Sequence, residues 1–154
     1  MTPLLINKIM GFIKHTEFFD SLNELAVQID EKKEKLGTCS LCWQEQVVDR
    51  IWTALGVIEN GSFRYFVECH LDMNLVACAY DEIGLEKVGN LFRQAEALLD
   101  PVAGDPELKN RFSFMEQHEQ KFDDLATEVL AFTLEMEKRL FEYVGRNTQV
   151  FSQL

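Results

Sequence analysis

The sequence has little of what interrupts a helix. Three prolines and eight glycines are spread over 154 residues, which leaves no stretch suited to a long linker or a disordered tail. No apolar run reaches the roughly 18 residues that cross a bilayer. No segment alternates apolar and polar residues at the period of two that a half-buried strand requires. A nucleophile elbow, a phosphate-cradling glycine loop and a dinucleotide glycine pattern are also missing. Acidic residues are so plentiful that pairing any two as acid and base is arbitrary, so the reading is non-enzymatic, with no catalytic residue, no cofactor and no metal. Cations are scarce as well. Fifteen Lys and Arg face 26 Asp and Glu, a formal net charge of −11. Residues 1–77 carry −4 of this and residues 78–154 carry −7. Such a balance argues against direct contact with nucleic acid, whose phosphates need cationic partners, and permits a basic protein partner.

What is present is helical periodicity. Phe18, Leu22, Leu25 and Ile29 share one face at steps of four, three and four; Val47, Ile51, Leu55 and Ile58 share another, widened by Trp52. Leu85, Val88, Leu91, Phe92, Ala95, Leu98 and Leu99 form a third stripe. The longest runs from Phe122 through Leu125, Val129, Phe132, Met136 and Leu140 to Tyr143 and predicts one continuous helix. Gly37 suits the end of the first charged helix, Asp105-Pro106 suits a helix start with Asp105 as N-cap, and Gly145 suits the end of the last long helix. The pattern predicts an all-α fold, a single-domain bundle of about seven or eight helices over residues 1–154. Twelve Phe supply a large core and leave surface for a homodimer.

The amino terminus, "MTPLLINKIMGFIKH", lacks the charged start and small-residue cleavage site of a signal peptide. It reads as an amphipathic helix with Leu5, Ile9 and Phe12 on the face that docks on the core. The expected location is therefore the cytoplasm, without membrane binding.

Cys39 and Cys42 stand at C-x-x-C spacing, with Cys69 and Cys78 further on. A structural zinc site wants two close pairs or a pair with histidines, and a thioredoxin-like motif wants a βαβ context. Neither is present, and Trp43 beside Cys42 suggests packing, so the thiols are expected to be buried and reduced. His118, Glu119 and Asp123 read as a wet helix face rather than a metal cluster.

The stretch "ENGSFRYF" (59–66) carries the strongest local signal. Asn-Gly is a hairpin hallmark, yet the helical stripe from Val47 runs into it, and Phe63, Phe66, Val67 and His70 leave it at helical spacing. The expectation is a junction between two helices, with Asn60 ending the first, Gly61 at positive φ and Ser62 capping the second.

Together with "EIGLEKVGNLFRQAEALL" some twenty residues later, this stretch resembles a bacterial helical family with an N-G-G-F-x-Q-Y-F-x-N pattern followed by an Ile-Gly step. Asn60, Gly61, Phe63, Tyr65, Phe66, Ile83 and Gly84 fit that pattern when one gap is allowed, and the resemblance covers about residues 45–145. Arg64 stands alone where the family has two residues, Ser62 replaces the second Gly and Glu68 replaces the final Asn. The resemblance implies an α-helical DNA-mimic protein that binds a basic DNA-binding protein in place of DNA. Two alternatives stay open: a small-ligand or metal-binding module around Asn60, Arg64, Tyr65 and the thiols, and a toxin-immunity or anti-defence protein.

Charge magnitudes constrain the mimic reading. A compact chain of this length is roughly 40 Å across, and duplex DNA of that length carries ~23 phosphates. Mimicry then requires clustering. Asp124, Glu128, Glu135 and Glu142 supply one stripe along the predicted long helix, extended by Glu116, Glu119 and Asp123. Arg139 and Lys138 compete for Glu135 through ordinary intrahelical pairs.

Overall fold

The computed structural model describes residues 15–154, and the expected amino-terminal helix lies outside them. The described residues form eight α-helices and two short 3-10 turns, with no strand among them. Helix α1 (Phe19–Leu36) buries Leu22, Ala26 and Ile29, the predicted stripe. It ends at Gly37, whose N–H still donates to the Lys33 carbonyl at 2.8 Å and whose φ of 87° then turns the chain out of the helix. A 3-10 turn (Thr38–Ser40) leads into α2 (Trp43–Glu68). Cys42 is the N-cap, and the Glu45 carboxylate accepts the Cys42 N–H at 2.8 Å, satisfying an amide at the helix entrance. Lys32–Glu45 and Lys33–Asp49 ion pairs, both 2.6 Å, clamp α1 to α2 across this turn.

Helix α2 is broken where the sequence places a junction. Gly61 (φ −163°, ψ 15°) and Ser62 (φ 59°, ψ −168°) are non-helical, so "ENGSFRYF" is a corner between two helical segments and not a hairpin. Asn60 ends the first segment as expected, its amide donating to the Gly56 carbonyl at 2.7 Å. One detail differs: Ser62, not Gly61, takes the positive φ. Glycine is needed at 61 for space, because a Cβ there would lie 2.5 Å from the Tyr65 Cβ. Ser62 occupies a backbone region that is essentially glycine-only and costs on the order of 1–3 kcal/mol. Ser62→Gly is therefore expected to stabilise the protein by about 1 kcal/mol, net of the extra chain entropy of glycine. A melting temperature raised by a few degrees would show it, and a lowered one would refute the strain.

Helices α3 (Met73–Glu82) and α4 (Glu86–Leu99) pack against each other, with Asp72 capping α3 through the Leu75 N–H at 3.0 Å. Between them Ile83 is buried and Gly84 turns the chain at φ 76°. After a 3-10 turn (Asp100–Val102), α5 begins later than expected, at Leu108–Gln117. Asp105 accepts the Glu107 N–H and the Asn110 side chain, each at 2.8 Å. This side-chain turn keeps Asp105 to Glu107 out of helical geometry and delays the entry.

The predicted long helix is in fact two, α6 (Glu119–Leu130) and α7 (Thr133–Arg146), followed by the short α8 (Thr148–Phe151). At the corner the Thr133 hydroxyl donates to the Leu130 carbonyl at 2.8 Å, and Phe132 closes a tighter turn onto Val129. Both helices bury the same three-and-four stripe, so the periodicity runs unbroken through a chain that bends. Gly145 lies one residue before the end of α7, and Asn147 stands at its C-cap.

The core is rich in aromatic rings. Phe63 meets Phe92 edge-on at 5.4 Å, and Phe66 and Tyr80 each approach Phe92 at 5.5 Å. Phe122 of α6 lies 6.4 Å from Phe63. All of these rings are buried, so the corner in α2 is keyed to α3, α4 and α6 together.

Candidate functional site

The corner turns one side of the motif inward and the other outward. Phe63, Phe66 and Ile83 are core residues, whereas Tyr65 is 41% exposed. Arg64 leaves the corner on the outer side, pairs with Glu116 at 2.8 Å and lies over the Phe112 ring at 4.8 Å. A cleft of about 230 Å³ opens here, lined by Gly61, Ser62, Arg64, Met115, Glu116, Glu119, Phe122 and Asp123. Three of the predicted acidic residues thus gather beside the motif. Burial pushes the Asp123 carboxyl up from its usual range, and the Ser62 hydroxyl approaches it at 3.5 Å. Of the three residues that suggested a small-ligand pocket, Arg64 lines this cleft, while Asn60 and Tyr65 do not.

The other carboxylates do not form one straight row. Asp124 and Glu128 belong to α6, Glu135 and Glu142 to α7, with the corner at 131–132 between them. Asp124, Glu128 and Glu142 are exposed. Asp124 accepts from Gln120 at 2.7 Å. Glu135 pairs with Arg139 at 2.8 Å, and that contact holds its carboxyl below the usual range.

Sequence reasoning missed an inner pair of acids. Glu137 is completely buried, with Oε1 2.5 Å from His15 Nδ1 and Oε2 accepting the Thr16 N–H at 2.5 Å and the Thr16 hydroxyl at 2.6 Å. The signal was its position: Glu137 follows Thr133 by four residues and precedes Leu140 by three, which places it on the buried face. Glu59, just before the corner, is half-buried, and its Oε1 has no hydrogen-bond partner. Burial pushes its carboxyl up; His15 pulls it down and Glu137 pushes it up again.

A carboxyl raised in the folded state contributes stability that is fully present below its unfolded pKa and lost as pH rises through its folded pKa. Glu59→Gln is therefore expected to stabilise the protein at neutral pH by no more than about 1 kcal/mol, because the side chain is only partly buried and solvent screens it. The gain should vanish below about pH 4, where both states hold the proton. Paired denaturation curves at neutral and acid pH check this, and an equal gain at both would count against it.

The thiols were expected inside and are not. All four cysteines are free and exposed, and Trp43 is 41% exposed with the Arg50 guanidinium 5.4 Å from its ring centre. Leu41, 4% exposed, is the residue that anchors this turn. His118 bonds the Phe114 carbonyl at 2.9 Å and stacks on its ring. Among the described residues no three His, Cys, Asp or Glu side chains gather as a metal site would need. No helix among them is long and apolar enough to cross a membrane.

An all-α fold with a motif corner at its centre and carboxylates on its outer helices defines the class: an acidic helical protein. The sequence model of the family described as DMP19-like protein matches residues 40–147, and the chain belongs to that family, the DNA-mimic family that its motif resembles. No curated protein and no solved structure matches it.

Proposed function

We propose that the protein acts without catalysis, in the cytoplasm, by binding a basic DNA-binding protein in place of DNA. The observation that carries this reading is membership of the DNA-mimic family in a chain of net charge −11. Exposed Asp124, Glu128 and Glu142 on α6 and α7 supply charge where a partner can reach it. Such contacts steer association and weaken with salt, since the Debye length is ~10 Å at 0.1 M.

The immobilised protein is expected to retain a basic DNA-binding protein at low salt, to release it as salt rises and to lose it to competing duplex DNA. The combined variant Asp124→Asn, Glu128→Gln, Glu142→Gln should weaken that binding by about tenfold or more. Retention of no basic protein at low salt, or binding indifferent to duplex DNA, would defeat the reading.

A further inference from the structure

We propose that Asn60 is a latent modification site: its side-chain amide converts spontaneously to aspartate and isoaspartate through a ring closed by the Gly61 nitrogen, and the folded corner holds that reaction back. Seven asparagines are spread along the chain, and Asn60 alone precedes a glycine. The following residue governs the intrinsic rate, because its side chain crowds the backbone nitrogen that must attack. Glycine has no side chain and leaves that nitrogen free to turn. Asn60 is also exposed, so water reaches it.

The chemistry balances with water as the co-reactant. The Gly61 nitrogen gives up its proton and attacks the Asn60 side-chain carbonyl carbon. The side-chain nitrogen leaves as ammonia, and a cyclic succinimide remains. Water then adds to either ring carbonyl and breaks its bond to nitrogen. Opening on one side gives aspartate; opening on the other gives isoaspartate, whose main chain runs through the former side chain.

The native corner opposes the first step. Only Gly61 and Ser62 leave helical geometry within α2, so Asn60 is still helical. A helical ψ of about −42° keeps the side-chain carbon out of line with the following nitrogen, and ring closure requires ψ to turn well away from that value. The Asn60 amide also donates to the Gly56 carbonyl at 2.7 Å, which draws the side chain back along the helix and away from Gly61. Burial of Phe63 and Phe66 fixes the chain beyond the corner. When those rings let go, Asn60 becomes a free helix end, which opens at little cost.

Both products oppose reclosure. Isoaspartate lengthens the main chain by a methylene beside Gly61, where a Cβ would already lie 2.5 Å from the Tyr65 Cβ. Either product adds a negative charge next to Glu59, whose Oε1 is buried without a hydrogen-bond partner.

The test incubates the full chain in mildly alkaline buffer with and without guanidinium chloride, digests it with trypsin in mild acid and maps the peptides by mass. Cleavage after Arg50 and Arg64 places Asn60 on residues 51–64 with no other asparagine or glutamine. In denaturant Asn60 is expected to react before any other asparagine. Without denaturant its rate should fall by about tenfold or more, because only molecules with an open corner react. Phe63→Leu, milder than truncation to alanine and checked for native helicity, should react about threefold or more faster than the unsubstituted folded chain. Equal rates in the folded and denatured chains, or an unchanged rate in Phe63→Leu, would overturn the hold exerted by the corner. An Asn60 that stays intact in denaturant would overturn the site itself.

Discussion

Phe63→Ala is expected to remove about 3–5 kcal/mol of stability, the cost of truncating a fully buried phenylalanine. Phe63 is inaccessible to solvent and contacts rings from three other parts of the chain: Phe66 beside it, Phe92 of α4 and Phe122 of α6. Its removal leaves a cavity at the point where the second segment of α2 meets both helices, and none of the surrounding rings can fill it without leaving another contact. Denaturant unfolding should show the loss directly, and the melting temperature should fall by on the order of 10 °C. Tyr65→Ala is the matched control, because it keeps the Cβ that faces Gly61 and removes a ring that is 41% exposed. That change should cost about 1 kcal/mol or less. Equal losses in the two variants would mean that the corner is held by something other than its inward rings.

Glu137→Ala should be nearly as damaging, at about 2–4 kcal/mol, for a polar reason. One side chain accepts from His15 and twice from Thr16, and all of this happens at a site where Glu137 itself has no exposure. Truncation leaves a backbone N–H and a hydroxyl without their acceptor, and each such buried loss costs about 1–3 kcal/mol. His15 is partly exposed, so water limits the penalty on that side. Glu137→Gln keeps one acceptor oxygen and should recover about half of the loss. Amide exchange separates this from general destabilisation: the Thr16 N–H should exchange faster in both variants than the loss in global stability alone accounts for. An unchanged Thr16 rate relative to the core amides would show that the contact does not tie residues 15–16 to α7.

Helix faces were legible because burial imposes a period, and that period appears directly in Leu22, Ile29, Val47, Ile51, Ile58, Val88 and Phe92, all buried. The corner at 60–62 was legible from Asn-Gly-Ser, although residue propensity assigned the positive φ to the wrong neighbour. Glycine at 61 answers a close approach to Tyr65, which only coordinates reveal. The bend between α6 and α7 was not legible: neither Gly nor Pro marks it, and the stripe continues on both sides. The acidic row inherited that error. Outward placement of every charge, a sound rule on average, concealed Glu137. The tryptophan beside the C-x-x-C pair suggested burial, whereas Leu41 alone carries the turn's apolar anchor.

The corner in α2 also divides its cooperativity. Helix formation carries a nucleation cost that is recovered only by propagation, and isolated helices shorter than about 12–15 residues are marginal in water. The interruption at Gly61 and Ser62 stops propagation, so the segment after it cannot borrow helical order from the longer one before it. Residues 63–68 make fewer than two turns. Their helicity rests on the burial of Phe63, Phe66 and Val67 against the rest of the core. The family motif therefore marks a place where secondary structure is a consequence of tertiary packing, and loosening the aromatic cluster should melt residues 63–68 while residues 43–60 stay helical.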